Sequence, residues 1–255
     1  NYYHYPLGKT YATAVPKYLR SGKTPAIESM VFHKSCGERK LTTHQKKAFD
    51  SCIELLKKPS PVLLNGVTGS GKTEIYLQLM KKALDKKQQV LFLVPEIGLT
   101  PQLFEAISSR FGNCVGLIHS STSEKLKAEA WLSARENKLS IILGTRSSIF
   151  VPFRKLGLIV IDEEHDESYK QQSGLMYSAR DLAVLRAKKL GITDFKKKYN
   201  INDMVKGDVI FCATGVTSGD LAKGVKDLGN EFEVNTFALH KNQKIIKSFT
   251  NIYNK

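Results

Sequence analysis

The sequence predicts an α/β fold in which a parallel β-sheet is covered by helices on both faces. Five short apolar runs recur between residues 61 and 162, and segments with helical periodicity separate them. A glycine-rich loop directly follows the first run, and an acidic cluster directly follows the last. Because ligands of parallel sheets bind at the carboxyl ends of the strands, we expect the two motifs to meet at one edge of the sheet.

The composition bounds the class of protein. The chain has 255 residues, of which 42% are apolar, and a formal net charge of +15. No stretch approaches the roughly 20 apolar residues that span a bilayer, and no secretion signal opens the chain, so we expect a cytoplasmic protein with no membrane partner. The basic excess favours nucleic-acid partners, although a solvated lysine-rich surface has the same composition. The four cysteines form no C-x-x-C pair, which argues against zinc and against a disulfide scaffold.

The elements can be justified in chain order. Residues 1–40 are aromatic and basic, contain three prolines and lack periodicity, so we interpret them as a domain remnant with a linker. The five apolar runs predict strands over residues 62–64, 90–94, 115–118, 141–143 and 158–161. Beyond Gly191 the character changes to a lysine, glycine and asparagine-rich stretch. Apolar runs at 209–212, 233–239 and 244–253 predict a small α/β appendage over residues 191–255.

The first motif is a complete phosphate-binding loop. Its spacing is G-x-x-x-x-G-K-T, which lets backbone N–H groups and the positive end of the next helix face the phosphates. Lys72 is expected to bind the β and γ phosphates of ATP, and Thr73 to give its hydroxyl to Mg²⁺. The predicted nucleotide-binding residues of the loop are Gly66, Thr68, Gly69, Ser70, Gly71, Lys72 and Thr73.

The second motif is the carboxylate pair that ends the apolar run at residues 158–161. Asp162 is expected to hold Mg²⁺, and Glu163 to orient or activate the attacking water, so the predicted catalytic residues are Lys72, Asp162 and Glu163. His165 fits two roles, either transmission of the nucleotide state or a purely structural one. The two motifs together indicate an ATP-hydrolysing protein.

Six ordered segments also give residues 1 to about 190 a resemblance to primosomal helicases of the PriA type, which are superfamily 2 DNA helicases of replication restart. The segments lie at residues 2–8, 66–76, 94–102, 144–147, 162–172 and 178–183. The resemblance implies a RecA-like P-loop domain over residues 41–190, preceded by a remnant of an N-terminal DNA-binding domain. It further implies a 3′–5′ helicase that uses ATP and Mg²⁺, with single-stranded or forked DNA and replication-restart proteins as partners.

The resemblance also implies roles for individual residues. Gln45 would hydrogen-bond adenine, the alternative being a helix cap with an exposed glutamine. Two strips would contact the phosphates of single-stranded DNA, and residues 166–180 resemble an aromatic-rich loop that couples DNA binding to hydrolysis. The DNA-binding residues implied in this way are Pro95, Thr100, Thr145, Arg146, Ser147, Tyr169 and Tyr177.

From about residue 186 the chain is instead similar to the C-terminal part of class II (GlpX-type) fructose-1,6-bisphosphatases. Residues 187–192, 202–208 and 209–221 carry this resemblance. These residues contain no counterpart of the carboxylates that hold metal in the bisphosphatase family. They also contain no counterpart of the second RecA-like domain of the helicases, which carries arginine fingers and zinc-binding cysteines. We therefore expect nucleotide binding with little hydrolysis and no unwinding by this chain alone.

Three alternatives remain open at this stage. A bisphosphatase-related protein and a non-catalytic nucleic-acid-binding module are the rival functions. The third alternative concerns the structure. Residues 209–215 read as a strand followed by Ala-Thr, which is also the pattern of the helicase strand that carries G-S-A-T-P and is missing here. Residues 209–215 would then take the place of that strand in the sheet.

Overall fold

The computed structural model describes residues 5–27, 39–56, 61–66, 70–96, 98–191, 208–209 and 233–236. The helices are α1 (Leu7–Ala14), α2 (Lys17–Arg20), α3 (Thr43–Leu55), α4 (Lys72–Asp85), α5 (Pro101–Phe111), α6 (Glu124–Arg135) and α7 (Ala179–Gly191). The strands are β1 (Val62–Asn65), β2 (Gln89–Leu93), β3 (Val115–Ile118), β4 (Ile141–Gly144), β5 (Leu156–Ile161), β6 (Asp208–Val209) and β7 (Glu233–Thr236). Short 3-10 helices cover Gly112–Cys114, Arg146–Phe150 and Glu167–Tyr169.

The central sheet is parallel and has the strand order β3-β4-β2-β5-β6. All five strands predicted between residues 61 and 162 are present, each within two residues of its predicted bounds. The loops that leave β2, β3, β4 and β5 therefore start at the same edge of the sheet. The predicted parallel sheet covered by helices is confirmed.

Successive residues of the central strands face opposite sides of the sheet, and each side has its own core. Val90 and Phe92 of β2 pack with residues of α3, α4 and α5 on one side. Leu91 and Leu93 pack on the other side, with residues of α6 and α7. Both faces of β2 and β5 are thus buried, which explains why these strands are continuous apolar runs.

Gln89 closes the end of the sheet opposite the motifs. Its amide nitrogen donates to the carbonyls of Ala134 (2.8 Å) and Leu139 (2.7 Å). Its amide oxygen accepts from the N–H groups of Arg154 (2.9 Å) and Lys155 (2.8 Å). All the hydrogen-bonding capacity of this buried amide is used. The Gln89 side chain therefore links the end of α6, the turn before β4 and the turn before β5.

The first strand differs from the prediction. We expected β1 to belong to the parallel sheet, but within the described residues it pairs only with β7, antiparallel, with Leu64 opposite Val234. The edge of β5 that faces away from β2 is instead taken by β6, whose Val209 lies opposite Ile159. This pairing agrees with the alternative that residues from 209 onward replace a missing strand. Residues 210–215, and the strand predicted at 244–253, lie outside the described residues.

The described part of the chain lacks both a membrane-spanning helix and a cluster of metal-binding side chains. It contains no helix long and apolar enough to cross a membrane. It also contains no cluster of three or more His, Cys, Asp or Glu side chains suited to a metal ion.

Burial raises the pKa of Cys52 to about 12 and that of Cys114 to about 11, so both thiols stay protonated at neutral pH.

Candidate functional site

The phosphate loop connects β1 to the N-terminus of α4. Gly71 precedes the helix with a φ of 83°, in the left-handed region. A Cβ atom there would lie 2.3 Å from Nε2 of Gln45, so both the conformation and the space require glycine. The predicted residues Thr68 and Gly69 lie outside the described part of the chain, whereas Gly66, Ser70, Gly71, Lys72 and Thr73 lie within it.

The described loop residues fit a bound triphosphate. Lys72 is buried, and its ammonium group donates to the carbonyl of Gly66, across the loop. The buried hydroxyl oxygen of Ser70 has no hydrogen-bond partner among the described residues, so it can pair with a ligand. The N–H groups at the start of the 14-residue helix α4 add a positive end to the same place. Thr73 is exposed, so its hydroxyl is accessible to Mg²⁺.

Gln45 lies against this loop. It forms a capping box with Thr42 at the start of α3, where the Thr42 N–H donates to its Oε1 at 3.0 Å. Its Nε2 donates to the carbonyls of Ser70 (3.3 Å) and Gly71 (3.4 Å). The helix-cap alternative is therefore realised, together with a contact to the phosphate loop that the sequence did not reveal. The adenine contact stays a prediction.

Asp162 follows β5 and lies beside α4. Its N–H donates to the Leu93 carbonyl (2.9 Å), and its Oδ1 accepts from the Tyr76 hydroxyl at 3.4 Å. Burial, and next the nearby Glu163 carboxylate, raise the pKa of Asp162, while Lys72 opposes this shift. A half-buried carboxylate next to a lysine is suited to a divalent cation, because the added charge offsets the cost of ionisation in this environment.

The raised pKa of Asp162 gives a prediction for Asp162→Asn. A carboxyl whose folded pKa lies above its ordinary value of 3.8 stabilises the fold below pH 3.8. That contribution is lost as the pH rises through the folded pKa. We therefore expect Asp162→Asn to melt at a higher temperature than the parent at pH 7 in EDTA, with a gap that closes near pH 4. Thermal melts from pH 4 to 8 measure the gap; one that does not change with pH contradicts the prediction. Asp50→Asn, at an exposed carboxylate, is the control.

Glu163 has a backbone φ of 46°, which is unusual for a residue other than glycine. Its carboxylate lies 3.7 Å from Nε2 of His165, and both side chains are about one third exposed. Glu163 is therefore half-buried, as Asp162 is, whereas Glu164 is buried. This placement suits its predicted role of orienting a water molecule, and it gives His165 a contact within the acidic cluster.

The predicted DNA-binding strips follow β2 and β4, which are adjacent. Pro95 and Thr145 are buried, whereas Thr100 and Ser147 are exposed. The Thr100 hydroxyl caps α5 by accepting from the Leu103 N–H (3.2 Å). DNA binding by these residues stays a prediction, with Thr100 and Ser147 the more accessible of the four.

Arg146 is half-buried and contacts the loop that follows the acidic cluster. Its Nη1 donates to the carbonyls of Ser168 (2.8 Å) and Lys170 (3.1 Å). The guanidinium therefore joins the strip after β4 to residues 166–178. A contact to a DNA phosphate would have to use its remaining donors or replace these bonds.

The positions of Tyr169 and Tyr177, two of the DNA-binding residues implied by the resemblance, do not suit direct contact with a base. Their side chains are 2% and 3% exposed, so neither ring presents a face to a base. Tyr169 donates its hydroxyl hydrogen to the Asp162 carbonyl (2.6 Å), and Tyr177 packs edge to face on Phe150 with ring centroids 4.8 Å apart. The two tyrosines anchor the base of the loop, because their rings complete the core on that side of the sheet. Met176, 65% exposed, is the apolar residue that the loop presents outward.

Three contacts at the site involve residues that the motifs did not single out for a role. Tyr76 lies one turn after Lys72, and this spacing places both on the face of α4 that meets Asp162. Arg180 pairs with Glu164 at 2.9 Å. Glu74 pairs with Arg110 of α5 at 2.7 Å. Only the Tyr76 spacing could have been found from the sequence, because the other pairs join distant segments.

Comparisons with known proteins separate the chain into two overlapping parts. Residues 38–201 match the family described as type III restriction enzyme, res subunit. Residues 171–253 match bacterial fructose-1,6-bisphosphatase, glpX-encoded. The second match confirms the resemblance to class II fructose-1,6-bisphosphatases, and the two matches overlap at residues 171–201. The resemblance to PriA-type helicases is confirmed by the curated relatives.

Several curated relatives are replication restart proteins PriA. That of Haemophilus influenzae is 46% identical over 175 residues, which make up 68% of this chain and 23% of the relative. Those of Bacillus subtilis (45% over 149 residues) and Synechocystis (50% over 148 residues) each align with 58% of this chain and 18% of their own length. The chain thus spans about a fifth of these relatives. The solved UvsW helicase of bacteriophage T4 aligns at 17% identity, over 88% of this chain and 75% of its own, with a TM-score of 0.45, too low to inform the fold.

Proposed function

The chain belongs to the type III restriction enzyme res subunit family, and from this premise we propose that it binds Mg·ATP at the phosphate loop and single-stranded DNA along the same sheet edge. Its first 190 residues or so are PriA-like, which favours the ATPase part of a 3′–5′ DNA helicase of replication restart. Because the chain spans only about a fifth of those relatives, the activity of a whole helicase is part of the proposal.

One observation carries the nucleotide-binding proposal, namely the convergence of the two motifs on α4. Lys72, at the first position of that helix, is near enough to Asp162 to oppose the rise in its pKa. Tyr76, one turn further on, reaches the same carboxylate with its hydroxyl. A lysine for phosphate and a carboxylate for metal therefore lie side by side, as an ATP site requires.

Each residue then has a task in binding. Lys72 and the α4 N-terminus neutralise phosphate charge, and Ser70 and Thr73 offer hydroxyl groups. Asp162, with Thr73, would hold Mg²⁺, which when bound polarises the terminal phosphate for attack. Glu163 orients the water from its half-buried position. Gln45 would contact adenine while its present bonds hold the loop.

The DNA part of the proposal rests on position and charge. The net charge of +15 favours a polyanion, and the exposed hydroxyls of Thr100 and Ser147 follow adjacent strands. We place DNA phosphates along these two strips. Each neutralised phosphate would contribute a slope of about −0.7 to the salt dependence of the logarithm of affinity.

The proposal further holds that these 255 residues bind nucleotide but hydrolyse it slowly and do not unwind DNA alone. An arginine supplied to the γ-phosphate from a second domain accounts for roughly 10³ to 10⁵ in rate in phosphoryl-transfer enzymes. We do not assign such an arginine-supplying domain to residues 171–253, because these residues match a bisphosphatase family instead.

Limited proteolysis with mass-spectrometric mapping tests nucleotide binding. We expect Mg²⁺ with a non-hydrolysable ATP analogue to protect residues 41–190 of the parent at least tenfold, and to leave Lys72→Ala unprotected. Lys81→Ala, further along the same helix, is the matched control and should behave as the parent. Equal digestion with and without nucleotide in the parent contradicts the proposal, and phosphate release from fructose-1,6-bisphosphate would favour the rival function.

A further inference from the structure

The backbone at Glu163 needs an explanation that its local sequence does not provide. Among the described residues, three other than glycine have positive φ: Lys87 (58°), Asn137 (60°) and Glu163 (46°). Lys87 and Asn137 each lie two residues beyond the end of a helix, α4 and α6, where a left-handed residue is the usual termination. Glu163 instead follows a strand. A left-handed residue of this kind persists only when its surroundings fix it.

Two successive peptide groups on the N-terminal side of Glu163 are each held by one hydrogen bond. The Asp162 N–H is bonded to the Leu93 carbonyl of β2, which continues the ladder between β2 and β5. The Asp162 carbonyl, which belongs to the peptide that joins Asp162 to Glu163, accepts the Tyr169 hydroxyl at 2.6 Å. Because the orientation of this peptide determines φ of Glu163, the Tyr169 hydroxyl holds one side of the unusual conformation.

The C-terminal side is fixed by two further contacts. The Glu163 carbonyl accepts from the Asp166 N–H at 2.9 Å, which closes a tight turn. The Glu164 carboxylate, largely buried, accepts from Arg180 Nη1 at 2.9 Å. Arg180 lies in the first turn of α7, so the residue after Glu163 is attached to a separate element.

The electrostatics favour the same arrangement. Burial, and then the carboxylates of Asp162, Asp166, Glu163 and Glu164, raise the pKa of Tyr169 well above its ordinary value. Arg180 meanwhile neutralises one of four crowded carboxylates.

We propose that Tyr169 and Arg180 are positioning residues that hold Glu163 in its left-handed backbone conformation, so that its carboxylate stays about one third exposed beside the half-buried Asp162 and the buried Glu164. The use of this conformation to orient water rests on the proposed ATP site. The conformation itself does not, so it can be tested without nucleotide.

The test compares glycine with alanine at position 163 by thermal melting of the full chain. Glycine tolerates positive φ and alanine does not, so Glu163→Gly should melt about 2–4 °C above Glu163→Ala. If Tyr169 holds the conformation, the gap should fall below about 1 °C in the Tyr169→Phe background, because the backbone can then relax to an extended form. Arg180→Met should reduce the gap in the same way, and Arg180→Lys should retain part of it.

Lys87 provides the matched control, since its left-handed conformation belongs to a helix end far from Tyr169. The gap between Lys87→Gly and Lys87→Ala should be the same with and without Tyr169→Phe. A gap at Glu163 that persists in both backgrounds, or that is absent from the parent, overturns the inference. Failure of the proposed function is distinguishable, because it appears as lost nucleotide protection in the parent and leaves these melting gaps unchanged.

Discussion

Replacing Arg110 by methionine is expected to lower the free energy of unfolding by about 3 kcal/mol, because it leaves the largely buried Glu74 carboxylate without its charged partner. Nη1 of Arg110 lies 2.8 Å and 2.7 Å from the two carboxylate oxygens of Glu74. The side chains are 9% and 13% exposed. Gln78 also donates to Glu74 Oε1 at 3.0 Å, but a neutral amide does not replace the lost charge.

Urea unfolding at pH 7 measures this effect, and a charge exchange tests its origin. The double variant Glu74→Arg with Arg110→Glu should recover part of the loss, because it restores opposite charges between α4 and α5. The matched control is Asp50→Asn, which breaks the Lys46–Asp50 pair, whose side chains are 59% and 56% exposed. That change should cost at most about 1 kcal/mol. A loss below about 1 kcal/mol for Arg110→Met contradicts the prediction.

The position of this ion pair extends its consequences to the nucleotide site. Glu74 lies in the first turn of α4, directly after Lys72 and Thr73. Holding Glu74 against α5 therefore fixes the helix end that is expected to meet phosphate. Nucleotide protection should weaken in Arg110→Met even at low temperature, where the variant stays folded.

The features that the sequence predicted are local ones. An apolar run bounded by turns gives a strand wherever it lies in the chain, and the glycine spacing of a phosphate loop is sufficient to place Lys72 at a helix start. For this reason the five strands of residues 61–162 and the two motifs were predictable. The capping box of Thr42 and Gln45 is local too, and it was correctly included among the alternatives.

The features that the sequence did not predict depend on contacts between distant segments. Aromatic residues in a loop suggest base stacking, but only the three-dimensional contacts show that Tyr169 lies beneath Asp162 and Tyr177 against Phe150. Arg146 likewise has the charge of a phosphate ligand, yet two carbonyls of a later loop occupy its Nη1. Strand partners are the extreme case, because the periodicity of a strand does not reveal its neighbour.

The partner of β1 leads to the second large expected effect, that of ending the chain after Gly191. The sequence predicted a small α/β appendage over residues 191–255, and within the described residues β7 is the sole strand that pairs with β1. Val62 and Leu64 of β1 are fully buried. Removing β7 makes β1 an edge strand, so its unpaired peptide groups would have to be hydrated beside a buried apolar core.

The expected loss is large compared with the stability of a domain. Each backbone hydrogen bond contributes about 0.5–1.5 kcal/mol net, and a four-residue ladder loses several of them together with the apolar contacts beside them. A typical domain has only about 5–15 kcal/mol in total. The shortened chain should therefore lose cooperative unfolding and nucleotide protection, as measured by urea titration and by the proteolysis of residues 41–190.

Two further variants separate strand pairing from a general effect of shortening. Ending the chain after Thr236 removes 19 residues but keeps β6 and β7, so stability and nucleotide protection should be retained. Replacing both Val234 and Asn235 by proline keeps the length but removes two consecutive N–H groups, of which one must point toward β1 because these groups alternate along a strand. That variant should resemble the chain that ends after Gly191. If all three shortened or substituted chains match the parent, the C-terminal part is independent of the phosphate-loop strand, and β1 must take its stability from the helices α3 and α4 alone.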